Sequence, residues 1–126
     1  INLNSVFHVV RAVLSVMRKN SHGRIVAIGS RAAVDPGSTV GAYSASKAAM
    51  VSLMRTVALE NRDAGINTNV ILPGTMDTPA NRKAMPTADT SKWVRTESVA
   101  RLVVWLLGKY GDDVNGAVFP IYGRDA

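Results

Sequence analysis

The run Arg24-Ile25-Val26-Ala27-Ile28-Gly29-Ser30 decides how this chain folds. A short, β-branched, unbroken apolar run that closes on Gly-Ser reads as a buried parallel strand, because helices on both faces leave no alternate positions for polar side chains. Upstream, Val6, Phe7, Val9, Val10, Val13, Leu14, Val16 and Met17 form an apolar helix that ends at the turn Asn20-Ser21-His22-Gly23. Downstream, Asp35-Pro36-Gly37-Ser38 breaks the chain into a loop. A second long helix, rich in Ala, Met and Leu, then runs from about Ala42 to Ala64 and is stopped by Gly65. Asn69-Val70-Ile71-Leu72 is a second buried strand, ended by Pro73-Gly74. The stretch from Thr75 to Lys92 is polar and holds Pro79 and Pro86, so it reads as loop with a short helix at Ala80 to Ala84. Thr96 is expected to cap a third helix running to about Lys109, with Glu97 well placed against its dipole. Ala117-Val118-Phe119-Pro120-Ile121 is the last strand, and its proline implies an edge position.

Alternation of helix and strand predicts an α/β fold: a parallel sheet with right-handed crossovers. The expected architecture is a partial, Rossmann-like, doubly wound sheet of about three strands and three main helices, with residues 1–126 read as a single domain. Doubly wound domains are built from two such halves, and this chain supplies one. It holds no internal repeat and no low-complexity segment.

Composition agrees with that class and excludes others. With 47% hydrophobic and 19% charged residues, the chain is too apolar for a disordered segment. It has no cysteine, hence no disulfide framework and no thiolate metal site. His8 and His22 are isolated and are read as structural or solvated, so no metal is expected. The longest apolar runs, such as Val99 to Leu107 with Arg101 inside it, fall short of the ~20 residues that cross a bilayer. Ile1-Asn2-Leu3-Asn4 has no initiator Met, basic n-region or apolar h-region, so no signal peptide and a cytoplasmic location are expected. A net charge of +6 raises the question of nucleic acid. The ten arginines are scattered and do not interleave with aromatics, which favours a solvated basic surface, or one facing an anionic cofactor.

The chemistry gathers at strand ends, where open α/β sheets bind ligands. Ser30 ends the first strand and Pro73-Gly74 the second. Thirteen residues after Ser30 comes Tyr43, followed by Lys47, and that i,i+4 spacing stacks a phenol and an ammonium on one helix face. A phenol titrates near 10. An adjacent cation stabilises the phenolate and makes Tyr43 a workable general acid/base, while Ser30 hydrogen-bonds the carbonyl or alcohol oxygen whose proton Tyr43 moves.

Together, Asn2, Ser30, the Tyr43-Ser44-Ala45-Ser46-Lys47 motif and Pro73-Gly74-Thr75-Met76-Asp77-Thr78 resemble the C-terminal half of a short-chain dehydrogenase/reductase, in that family's order and spacing. The resemblance implies Tyr43 as acid/base and Ser30 as the group orienting the substrate oxygen. It makes Lys47 the residue that lowers the Tyr43 pKa and binds the nicotinamide ribose, and Asn2 the holder of a water in the proton relay to Lys47. It places the backbone at Pro73, Gly74 and Thr75 along the nicotinamide pocket, with Met76 at the carboxamide and Thr78 as a polar contact or a cap for the short helix. It implies NAD or NADP as cofactor, a small carbonyl or alcohol substrate, and a homodimer or homotetramer built on the two long helices. Trp93 is then packing in the substrate loop and Trp105 core.

The segment from Asp77 to Pro86, with Ala88-Asp89 and Ser91-Lys92-Trp93, is similar to the substrate loop of dihydropteridine reductase. That subgroup works without the serine, so the presence of Ser30 favours carbonyl over quinonoid pterin reduction. The glycine-rich turn that cradles a pyrophosphate is not in this sequence, nor is the residue that selects NAD from NADP, nor an Asn-Asn-Ala-Gly segment. Two readings follow: an oxidoreductase of which this chain is the catalytic half, as a fragment or completed by another polypeptide, or a catalytically silent remnant acting as a folded or oligomerising module.

Overall fold

A computed structural model describes residues 2–124. Of the Ile1-Asn2-Leu3 segment, Ile1 lies outside the described residues. In chain order the main elements are α1 (Asn2–Lys19), β1 (Gly23–Ile28), α2 (Gly41–Asn61), β2 (Ile66–Pro73), α3 (Pro79–Ala84), α4 (Thr96–Leu107) and β3 (Val118–Ile121). Helix α1 begins several residues before the apolar run that reveals it, and Arg18 and Lys19 sit in its last turn, where its dipole favours cations. After α2, a 3-10 turn over Arg62–Ala64 hands the chain to Gly65, whose φ of 71° is the left-handed conformation glycine adopts at helix ends. A Cβ there would lie 2.6 Å from the Ser21 carbonyl oxygen, so no larger residue fits.

The sheet is three-stranded, parallel throughout and ordered β1-β2-β3. Alternate residues of each strand face opposite layers. Ile66, Val70 and Leu72 of β2 pack with Val10 and Leu14 of α1 and with Met50, Met54 and Val57 of α2. Ile71 faces the other way and packs with Val99 and Leu106 of α4, joined by the partly buried Val26, Phe119 and Ile121. The strands step in one direction while α2 and α4 lie on opposite faces, so the two crossovers have opposite hands. Right-handed connections throughout, the sequence-based expectation, fail for one of them because the long 74–95 connection carries the chain to the far layer.

Several boundaries differ from the sequence reading for identifiable reasons. β2 begins at Ile66 rather than Asn69, since Thr68 and Asn69 are buried polar residues that hide the strand pattern. Asn69 donates to the Val114 carbonyl (2.8 Å) and accepts from the Ala117 amide (2.9 Å). Asn115 returns the favour by accepting from the Thr68 amide at 2.9 Å and donating to the Ala58 carbonyl at 3.1 Å. β1 is half-exposed rather than buried, because only β2 flanks it. Thr96 is the first helical residue of α4; the cap position falls on Arg95, which makes no side-chain cap. Trp105 is 41% exposed, on the outer side of α4, rather than core, whereas Trp93 is buried. Pro120 does sit on an edge strand. The Ala117 and Ile121 carbonyls accept from Val70 and Gly74, so the intervening Pro120 turns its hydrogen-less nitrogen outward.

Replacing Asn69 with Leu leaves the Val114 carbonyl and the Ala117 amide buried without partners. Urea unfolding of Asn69→Leu is expected to show a loss of about 2–4 kcal/mol; an unchanged midpoint would show that this asparagine does not hold β3 to β2.

Candidate active site

The carboxyl ends of β1 and β2 lie side by side, with Ile28 in register with Ile71 and the Gly29 amide donating to the Ile71 carbonyl at 2.7 Å. That pairing delivers Ser30 to the top of the sheet. Ser30 caps a 3-10 turn over Arg31–Ala33, its Oγ accepting from the Ala32 amide at 3.2 Å. A hydroxyl has one proton and two acceptor sites. The cap uses an acceptor, and the O–H remains to donate toward the cavity in front of it.

Tyr43 stands in the first turn of α2 with its ring 43% exposed. Lys47, one turn on, places Nζ 5.9 Å from the centroid of that ring, at the outer limit of a cation–π contact. The ammonium is anchored elsewhere: it donates to the Ile28 carbonyl at 3.3 Å. β2 ends in Pro73, and Gly74 follows within van der Waals reach of Tyr122, where a Cβ would meet backbone at 3.1 Å. A larger residue there would press on the Tyr122 carbonyl.

Ser30, Tyr43, Pro73, Gly74, Thr75, Met76 and Thr78 line one cavity of about 650 Å³. Asn2 and Lys47 line a neighbouring, more apolar cavity of about 340 Å³, with Ile28 forming part of the wall of both. The proposed set is thus divided: two hydroxyls and the β2 exit on one side, the ammonium and the amide on the other. Thr78 caps α3, its Oγ accepting from the Asn81 amide at 3.2 Å, and it also lines the larger cavity. A further cavity of about 580 Å³, bordered by Lys92, Arg95 and Arg124, contains none of these residues.

Besides the expected residues, the wall includes Arg31, Asp35 and Val40, which the sequence reading did not count as site residues, and Asn81 and Met85, which it assigned to the substrate loop. Arg31 stacks over the Tyr122 ring at 5.0 Å and pairs with Asp35 at 2.8 Å. Asn81 donates to the Met76 carbonyl at 2.8 Å, fixing the strand exit against α3. Arg31 and Asp35 lie close after Ser30 in the sequence, whereas Val40 reaches the wall only through the fold.

That loop is closed at its base. Val94 donates to the Thr75 carbonyl and accepts from the Asp77 amide, both at 2.8 Å. Arg82 then donates to both carboxylate oxygens of Asp77, from Nε at 2.6 Å and from Nη2 at 2.8 Å. Those hydrogen bonds, more than charge attraction, hold the Asp77 carboxyl below the usual carboxylate range, against a smaller opposing effect of burial. At Asp89 the hydroxyl and amide of Ser91 act the same way.

Among known proteins, the model of the short chain dehydrogenase family matches residues 1–89. The chain is 31% identical to the 3-oxoacyl-(acyl-carrier-protein) reductase FabG of Buchnera aphidicola, covering 97% of this chain and 53% of that protein. It is 30% identical to the D-beta-hydroxybutyrate dehydrogenase of Rhizobium meliloti, covering 92% and 53%. Its fold superposes on the acetoin dehydrogenase of Enterobacter cloacae with a TM-score of 0.87 at 28% identity, spanning 98% of this chain and 51% of that one. The NAD+-bound xylitol dehydrogenase superposes with a TM-score of 0.86 at 26% identity, over 98% and 56%. The chain therefore spans about half the length of the curated relatives it matches. A family model covering most of the sequence, together with a Rossmann-type sheet that carries Ser30 and Tyr43 on one cavity, places this chain in the short-chain dehydrogenase family.

Proposed function

We propose that residues 1–126 form the catalytic half of an NAD(P)-dependent oxidoreductase domain that interconverts a carbonyl and a secondary alcohol, with Tyr43 as acid/base. The observation that carries this reading is the convergence of the Ser30 and Tyr43 hydroxyls with the Pro73–Met76 backbone on one cavity of about 650 Å³. The names of the relatives, all reductases or dehydrogenases, support it.

The donor set suits the nicotinamide end of a dinucleotide. Two hydroxyls face the reacting oxygen, the Thr75 and Met76 backbone past the β2 exit lies where a carboxamide would sit, and Lys47 supplies a cation for ribose hydroxyls. The pyrophosphate-binding turn is not in this sequence, so only this end is held by these residues. When bound, the nicotinamide supplies or accepts the hydride. The protein's part is the proton and the geometry. The Ser30 O–H holds the substrate oxygen; Tyr43 gives that oxygen its proton on reduction and takes it back on oxidation. Lys47 stabilises the phenolate left behind, and Asn2, across the smaller cavity from it, positions water for proton return.

A second reading, a catalytically silent module, is favoured by the anchoring of Lys47 on the Ile28 carbonyl. Both readings agree with self-association through α1 and α2, on which Phe7, Val16 and Leu59 are 46%, 58% and 68% exposed.

Calorimetric titration with NADH and NADPH separates the two. Saturable binding weakened about tenfold or more by Lys47→Ala supports the oxidoreductase. Absence of binding at millimolar dinucleotide supports the silent module. Where turnover of acetoin or a 3-oxoacyl thioester is detected, Tyr43→Phe is expected to lower it by about 10²- to 10⁴-fold with dinucleotide affinity retained. A loss of affinity equal to the loss of rate would remove Tyr43 from the chemistry.

The loop carries its own pH dependence. Because the folded Asp77 pKa is depressed, the Arg82 grip is complete above the ordinary carboxylate range and is lost as pH falls through the lowered value. Amide exchange at Asn81 and Met85 is expected to rise, relative to its intrinsic pH trend, on acidification below that range. In Asp77→Asn it should be raised at every pH, and an identical profile in the two proteins would dismiss the clip.

A further inference from the structure

The cavity of about 580 Å³ beyond the carboxyl end of β3 is walled by Lys92, Arg95 and Arg124 and, among the described residues, by no carboxylate. The cavity over Ser30 is balanced by comparison, with Arg31 paired to Asp35. Among the described residues, none of the three cations forms an ion pair. Asp89 feels the Lys92 charge, but its carboxylate is held by the amide and hydroxyl of Ser91, and it stands outside the wall. Glu97, in the first turn of α4, borders a separate hollow with Ala100, Arg101 and Val104.

Backbone bonds bring these charges together. The Arg124 amide donates to the Lys92 carbonyl at 3.0 Å. Gly123 permits that approach: its φ of 68° is left-handed, and a Cβ there would lie 2.5 Å from the same carbonyl oxygen. Arg95 follows after Trp93 and Val94, both buried, and Val94 is itself bonded to Thr75 and Asp77. Like charges gathered on a fixed frame repel, and a concave wall concentrates their field on whatever fills it. Ser98 adds a hydroxyl with no partner among the described residues, whereas the Ser91 proton is committed to Asp89. Three cations exceed what one carboxylate neutralises. A phosphate dianion brings two charges and three terminal oxygens, enough to engage each cation.

We propose that this cavity binds a phosphate dianion, carried by an organic monoester or free, with Lys92, Arg95 and Arg124 as its cationic ligands and the Ser98 hydroxyl as a further donor. The volume leaves room beyond the phosphate for a small organic body. The site shares no wall residue with the cavity over Ser30 and stands whether or not Tyr43 acts as an acid/base. A bound anion ties the segment from Lys92 to Arg95 to the end of β3. Through the bonds of Val94 to Thr75 and Asp77, it also stiffens the base of the loop that walls the larger cavity.

The test is NMR titration of the isotopically labelled 126-residue chain with inorganic phosphate and with glycerol 3-phosphate, at constant ionic strength. Saturable shifts of the Lys92, Arg95, Ser98 and Arg124 amides are expected, with a midpoint at or below about 1 mM. Arg95→Gln and Arg124→Gln each weaken binding about tenfold or more. Both side chains are exposed, so neither change disturbs the core, and unshifted β2 resonances check this. Arg101→Gln removes the same charge from α4 outside the cavity and leaves the affinity within about twofold. Tighter binding of glycerol 3-phosphate assigns the site to an organic monoester; equal or tighter binding of inorganic phosphate assigns it to the free ion. Equal weakening by Arg101→Gln would reduce the effect to the overall positive charge and overturn the proposal. So would the same shifts produced by potassium chloride, or the absence of saturation by both phosphates at millimolar concentration. Every readout is independent of dinucleotide and turnover, so failure here is distinguishable from failure of the oxidoreductase reading.

Discussion

β2 has a strand on each edge and a helical layer on each face, and a strand so enclosed leaves no backbone group to water. Its apolar positions, Ile66, Val70, Ile71 and Leu72, are all nearly inaccessible and divide between the two cores. Its polar positions are satisfied individually. Asn67 donates to the Asp112 carbonyl, Asn69 spans Val114 and Ala117, and the Thr68 amide finds Asn115. These asparagines tie the strand to the connection between α4 and β3. Everything else is positioned relative to this strand.

The site inherits its geometry from that arrangement. Register between Ile28 and Ile71 brings the ends of β1 and β2 level, so Ser30 and the Pro73–Gly74 exit open onto the same space. α2 packs its Met50 and Met54 against the same strands, and this orients its first turn so that Tyr43 closes the third side. The loop after Gly74 is less constrained by the core. It is shaped by short-range polar bonds: the Thr78 cap, the Asn81 bond to Met76 and the Asp77 grip on Arg82.

Much of this was legible in the residues. The three strands, the order of helices and the short helix after Pro79 follow from apolar periodicity and from Gly and Pro punctuation, which are local properties. Ser30, Tyr43 and the Pro73–Gly74 exit, picked out at or near strand ends, line one cavity in the structure. What periodicity could not reach was β2's first half, where Asn67, Thr68 and Asn69 look like loop and are strand only because particular carbonyls and amides await them. Thr96 illustrates the opposite error: a good cap residue one position too late, with Arg95 left at the cap.

The sequence by itself determined the class of fold and the parallel sheet, since each depends on local pattern. Only the tertiary structure decided that α4 crosses to the face opposite α2, making one crossover unlike the other, because the path of a long connection is set by which apolar face needs cover. It alone decided that, among the described residues, β1 is flanked by β2 only, for burial is a property of neighbours and not of a strand's own side chains. And it decided where Lys47 points. The i,i+4 spacing brings the ammonium near the Tyr43 ring, but an unpaired carbonyl on an open edge is the stronger local acceptor, and the side chain follows the hydrogen bond.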